Sequence, residues 1–206
     1  MTTTRLTVGD RAPDLGCATL GGEVLSPVGR PGQTVILKFY RFANCPLCNL
    51  HVREWVRRAD EVRAAGLTAL AVFHSPVEAL RSQLLNGAEI PFDVLADPEK
   101  RLFRAYGVEE SLSGMFHGKV MGDNMRAMGA GYLGMLPFGH EGGIRGHPAD
   151  FLIGPDGVVR MAHYGAHYAD TLSVDAVLAA ATSTGPAPTT APAPPPVAEQ
   201  RPGGRR

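Results

Sequence analysis

A chain of 206 residues, 44% hydrophobic and 19% charged, carries enough apolar material for one globular domain with a buried core and leaves little for a second. Twenty Lys and Arg balance twenty Asp and Glu, which removes the electrostatic basis for nucleic acid or an anionic membrane surface as the main partner. No apolar run approaches the roughly 20 residues that span a bilayer, and Met1 to Gly16 lacks the apolar block of a secretory signal, so the expected setting is the cytoplasm and the expected partner a small molecule or another protein.

Leu15-Gly16-Cys17-Ala18 precedes any core strand, and Cys17 reads there as a small buried apolar residue. Thr34 to Tyr40, β-branched and aromatic, is predicted as a buried strand. It leads directly into Asn44-Cys45-Pro46-Leu47-Cys48. Beyond it, Val52, Trp55, Val56, Ala59 and Val62 recur at helical spacing while Arg53, Arg57, Arg58, Asp60, Glu61 and Arg63 fill the other face, and Gly66 ends the helix. A second strand is expected over Leu67 to Phe73, a helix over Val77 to Leu85, a short strand around Phe92 to Leu95 and a helix near Glu99 to Tyr106. This alternation is that of βαβ units. Phe151 to Ile153 and Val158 to Ala162 flank the turn Gly154-Pro155-Asp156-Gly157, which forces an antiparallel hairpin and makes the sheet mixed. A last helix, Val174 to Ala181, would cover it.

Two stretches stand apart. Between Glu109 and Gly146 lies a Gly- and Met-rich segment, long for a plain connection, that reads equally as a lid or as gap-filling chain. From Ser183 the sequence turns to Pro, Ala and Thr with nothing able to build a core. The domain is therefore expected over residues 5 to 182, followed by a disordered tail over 183 to 206.

Three cysteines are an odd number in a reducing compartment, so paired thiols there serve redox chemistry or metal binding rather than a structural framework. Cys45 and Cys48, three apart at the start of a helix, place both sulfurs on one face. The helix N-terminus stabilises thiolate over thiol, and Pro46 fits a first helical turn, where its missing N–H costs nothing. Lowering a thiol pKa from about 8.5 to about 6 raises the thiolate fraction at neutral pH some thirtyfold while nucleophilicity falls by about tenfold. Fast peroxide reduction therefore needs groups that position and polarise the O–O bond. The spacing Cys45, Cys48, His51 also leaves zinc open, with Cys17 or another histidine as fourth ligand, which would make the chain a zinc-stabilised interaction module rather than an enzyme. His51 alternatively tunes Cys48. Attachment of c-type haem fails because Asn49 follows Cys48.

The chain resembles the peroxiredoxin-like branch of the thioredoxin superfamily, with its alkyl hydroperoxide reductase and thiol-specific antioxidant relatives. The blocks that carry the resemblance are Gly9 to Asp14, Asp97-Pro98 through Ala105 to Val108, and Asp150 to Gly157. It implies an α/β, thioredoxin-like fold with a central mixed sheet flanked by helices. Laid on the family pattern Pro-x-x-x-Thr-x-x-Cys, the proline position holds Arg41, the threonine position holds Cys45, and the peroxidatic cysteine falls on Cys48. A thioredoxin-like reading of the same pair makes Cys45 the attacking thiol and Cys48 the resolving one. The family's late arginine has Pro148 in its register, with Arg145 nearby, and Pro148 resembles the cis-proline that thioredoxins set against their cysteines. The resemblance implies reduction of a peroxide, or alternatively of a disulfide, recycled by a thioredoxin- or glutathione-type reductant, with no bound metal or flavin; it leaves a homodimer open.

Overall fold

The computed structural model describes residues 4–25, 32–108 and 146–183, with residues 122, 125–126 and 129–131 between them. The proposed tail beyond Ser183, Arg145 and most of the Gly- and Met-rich segment lie outside the described residues.

Five strands form one sheet. Its centre is β3 (Thr34–Phe39), preceded in the chain by the two-residue strands β1 (Cys17–Ala18) and β2 (Val24–Leu25), which pair with each other. β3 runs parallel to β4 (Leu67–Phe73), which runs parallel to β5 (Asp93–Ala96). On its other side β3 is antiparallel to β6 (Ala149–Ile153), which forms a hairpin with β7 (Val159–Tyr164). The sheet is thus mixed, in the order β5-β4-β3-β6-β7, as expected for a thioredoxin-like fold.

Strand alternation divides the core into two layers. Val35, Leu37 and Phe39 face one side, where they pack with Phe103, Tyr106 and Phe151. Ile36 faces the other, packed with Trp55, Leu152, Val174 and Val177. The helices on that second side are α1 (Pro46–Arg57) and α5 (Val174–Ser183). The helical periodicity beyond Cys48 is real but divided, because α1 gives way at Arg58 to α2 (Ala59–Ala64). The Arg58 guanidinium spans from Glu61 to Asp175 on α5. Gly66, at φ +74°, takes the left-handed conformation that ends α2, where any side chain would be strained.

The helix expected over Val77 to Leu85 closes early. α3 (Val77–Gln83) passes into a single 3-10 turn, Leu84–Gly87, in which Leu85 and Asn86 have φ of 49° and 56°. The helix near Glu99 shortens to α4 (Arg101–Ala105), since Lys100 is left-handed at φ 54°. Asp97 serves as its cap from a distance, accepting from the N–H groups of Arg101 and Leu102 at 2.8 and 2.7 Å.

Candidate active site

The cysteine pair lies where β3 ends and α1 begins. Tyr40 to Asn44 make the crossing; backbone bonds from the Tyr40 N–H to the Val72 carbonyl and from the His74 N–H to the Arg41 carbonyl hold its start, and side chains tie down the rest. Ser75 Oγ accepts from the Ala43 N–H at 3.0 Å. Asn49 Nδ2 donates to the carbonyls of Ala43 and Cys45 at 2.7 and 2.9 Å, and its Oδ1 accepts from the Leu85 N–H at 2.6 Å. One buried amide therefore fastens the cysteine loop to the left-handed turn after α3.

Cys45 is the N-cap of α1, with extended backbone, and Pro46 follows at the first helical position. The Cys45 sulfur accepts from the Cys48 N–H at 3.4 Å, the bond that a Ser or Asp cap would make. The Cys48 sulfur turns back to the strand end and accepts from the Arg41 N–H at 3.4 Å. Both thiols are free and buried, with 1% and 6% of their surfaces exposed.

Their acidities diverge. Burial pushes the Cys45 thiol up, but hydrogen bonding from the Cys48 thiol, the Arg41 charge and the backbone N–H groups of Cys48 and Leu47 outweigh it and bring the pKa down to about 6. Burial and the negative charge on Cys45 hold the Cys48 thiol well above the usual range, against the Arg41 charge. The two shifts run in opposite directions, so of the two thiols Cys45 is the more readily deprotonated.

Arg41 sits at the strand end with 7% of its surface exposed. Its guanidinium lies 3.9 Å from the centre of the Tyr168 ring and 5.1 Å from that of Phe42. His147 meets the Tyr168 ring edge-on, at 5.6 Å between centroids. Pro148 follows His147, and here the structure corrects the resemblance to a cis-proline: the described residues contain no cis peptide bond. Pro148 instead continues the edge of the hairpin, its carbonyl accepting from the Gly165 N–H at 2.9 Å, and its ring and carbonyl crowd the space a side chain at Gly165 would need.

Sequence reasoning passed over two features. Tyr168, which covers the Arg41 guanidinium, lies in a polar loop after β7 and carries no local signal. Lys38 of β3 and Asp150 of β6 form a buried ion pair below the site, each almost wholly enclosed. Asp150 also accepts from the Leu172 N–H at 2.8 Å and from Thr171 Oγ1 at 3.1 Å, and the Lys38 ammonium lies 4.6 Å from the Trp55 ring centre. Its signal was present in the sequence: one charged residue inside each of two otherwise apolar strands.

Other candidates lie elsewhere. Cys17, half-buried in the β1–β2 hairpin, accepts from Arg101 Nη2 at 3.1 Å. His51 is half-buried one turn along α1. Among the described residues no three His, Cys, Asp or Glu side chains converge as metal ligands, so the zinc alternative finds no ligand set there. An open cleft of about 400 Å³, lined by Gln33, Trp55, Arg63 and Phe92 among others, contains neither Cys45 nor Cys48. No described helix is long and apolar enough to cross a membrane.

A model of the AhpC/TSA family matches residues 8–162. A Mycobacterium tuberculosis protein assigned as a peroxiredoxin is 29% identical over 105 residues, a stretch covering 51% of this chain and 66% of that protein's length. Among solved structures, Mycobacterium tuberculosis AhpC superposes with a TM-score of 0.62 at 17% identity, covering 87% of this chain and 93% of its own. Xanthomonas campestris peroxiredoxin Q gives 0.60 at 20% identity, with 86% and 96% covered. A Chlorobium tepidum protein assigned as the thiol:disulfide interchange protein DsbE gives 0.55 at 24% identity, with 85% and 99% covered. At these identities the structures establish the fold, and the match of the family model across most of the described residues establishes that the chain belongs to the AhpC/TSA family, in the peroxiredoxin-like branch of the thioredoxin superfamily.

Proposed function

We propose that the chain is a thiol-dependent oxidoreductase that reduces peroxides with Cys45 and Cys48. The observation that supports this most directly is the difference between the two thiols. Cys45 caps α1 with its pKa brought down to about 6, while Cys48, whose N–H is hydrogen-bonded to the Cys45 sulfur, is held protonated.

On this reading the Cys45 thiolate attacks a peroxide oxygen, the O–O bond breaks, and the alcohol or water leaves with one added proton. Cys45 becomes a sulfenic acid. The Cys48 sulfur then attacks the Cys45 sulfur, hydroxide leaves as water with the Cys48 proton, and an intramolecular disulfide forms. Two thiols of a thioredoxin- or glutathione-type reductant restore the pair. The register of the family resemblance assigns the first attack to Cys48 instead; the N-cap geometry favours Cys45. The near-complete burial of both sulfurs favours a small oxidant over a bulky one. Free thiols suit a reducing compartment such as the cytoplasm.

Exchange with a protein disulfide is the second reading, favoured by the cysteine that stands at the family's threonine position. Turnover of hydrogen peroxide, an organic hydroperoxide and a model protein disulfide, measured side by side, separates the two. Faster turnover of either peroxide is expected; activity confined to the protein disulfide would overturn the first reading in favour of the second.

A further inference from the structure

Arg41 presents an unusual charge. Its guanidinium is buried, its Nε has no hydrogen-bond partner, and no carboxylate pairs with it among the described residues. Among the described residues, the rings of Tyr168 and Phe42 lie against it. The buried cation of the same strand, Lys38, is by contrast matched by Asp150. A buried cation without a counter-ion is costly, and a structure that keeps one supplies an anion in at least one of its working states.

Among the described residues, the group bonded to Arg41 that can carry negative charge is the cysteine pair, whose second sulfur accepts from the Arg41 backbone N–H at 3.4 Å. That anion exists in one redox state. The reduced pair carries a thiolate; the disulfide carries no charge. We propose that Arg41 sets the redox poise of the pair, its buried guanidinium being compensated in the dithiol state and left uncompensated in the disulfide state, so that the disulfide becomes a readier electron acceptor. Tyr168 holds the guanidinium in place. The proposal rests on Cys45 and Cys48 acting as a redox pair, and it adds the direction: oxidised protein draws electrons from its reductant with a larger driving force than an uncharged surrounding would give.

The balanced step with glutathione is simple. Two glutathione thiols give up two electrons to the Cys45–Cys48 bond and become glutathione disulfide. Of their two protons, one goes to Cys48 and one to solvent, and Cys45 leaves as thiolate beside Arg41. Stabilising that thiolate shifts the equilibrium toward the dithiol.

The experiment equilibrates the full-length protein in glutathione buffers of graded ratio at neutral pH, quenches with an alkylating agent and counts free thiols by mass. Arg41→Gln, which keeps a polar head and loses the charge, is expected to lower the equilibrium constant for reduction about tenfold, or about 30 mV for a two-electron couple. The ultraviolet thiolate absorbance of its reduced form should fall in parallel. Arg41→Lys should restore both toward wild type, which a purely structural role would not do. If Arg41→Gln does not fold, Tyr168→Leu loosens the same cation and should shift the equilibrium in the same direction by at least about twofold. A folded charge-loss variant within twofold of wild type overturns the proposal while leaving the redox pair intact. A wild-type protein that forms no Cys45–Cys48 disulfide in oxidised glutathione overturns the redox pair itself, and this proposal with it.

Discussion

The molecule contains cysteine beside arginine twice, in two settings. At the β1–β2 hairpin, Cys17 is half exposed, and Arg101 divides its attention between the Cys17 sulfur at 3.1 Å and the carbonyls of Leu15 and Gly16 at 2.9 and 2.8 Å. At the end of β3, Cys45 and Cys48 are buried, and among the described residues no carbonyl or carboxylate pairs with the Arg41 side chain, whose Nε has no hydrogen-bond partner. In water, two charges about 4 Å apart interact by about 1 kcal/mol, and several times more strongly where solvent is excluded. The same two residue types therefore make a hairpin contact in one place and, on the function proposed above, a nucleophile in the other. What differs is burial, a helix N-terminus, and a second thiol one turn away.

The comparison breaks first if the cysteines are exchanged for serine. Cys45→Ser is expected to reduce peroxide turnover by at least about a thousandfold, because serine at neutral pH offers no comparable anion. Cys17→Ser should change it by less than about twofold. Steady-state turnover of both variants decides; a large loss at Cys17 would mean that the hairpin thiol takes part in the cycle.

The pH dependence sharpens the comparison. A thiol with its pKa lowered to about 6 is reactive above that pH and loses reactivity as pH falls through it. Alkylation of Cys45, followed by mass of the modified peptide, should be half-maximal near pH 6 and drop about tenfold for each unit below. A midpoint in the range of an ordinary thiol, about 8.5, would show that the cap and Arg41 do not act on Cys45 as the geometry requires.

Smaller effects test what holds the buried site in place. Asn49→Ala leaves the Leu85 N–H and the Ala43 carbonyl without their partner, while the Cys45 carbonyl keeps the backbone N–H of residue 49, and should cost about 1–3 kcal/mol, read as a fall in Tm of about 2–4 °C per kcal/mol. Arg101→Met should alter the alkylation rate of Cys17 by less than about fivefold, the size of a solvent-screened pair.

Much of this architecture was legible in the sequence where one periodicity ran unbroken. The Leu67–Phe73 strand, the end of the helix at Gly66 and the hairpin around Gly154 to Gly157 follow from local composition alone. Helix ends were less legible. α3 stops before Leu85 because the Leu85 N–H is taken by Asn49, 36 positions away, and propensity does not carry such a contact. α4 starts late because Asp97 caps it across the left-handed Lys100. The pairing of β1 with β2 was missed because two-residue strands have no period to read.

The site divides in the same way. Cys45, Pro46 and Cys48 could be read from spacing and helix chemistry, and Arg41 from its place in the family register. Tyr168 could not, since it reaches Arg41 through the fold. Nor did the sequence reveal that Lys38 and Asp150, 112 positions apart, pair with each other, while the buried Arg41 guanidinium lies against the rings of Tyr168 and Phe42.

The most direct measurement is a sulfenic acid trap on single-cysteine variants. Cys48→Ser and Cys45→Ser are each treated with one equivalent of hydrogen peroxide in the presence of a dimedone-type reagent, and the labelled residue is located by mass. Label on Cys45 in Cys48→Ser, with little or none on Cys48 in Cys45→Ser, is the expected result. Label on Cys48 but never on Cys45 would contradict it and restore the attacking role to the position that the family register assigns.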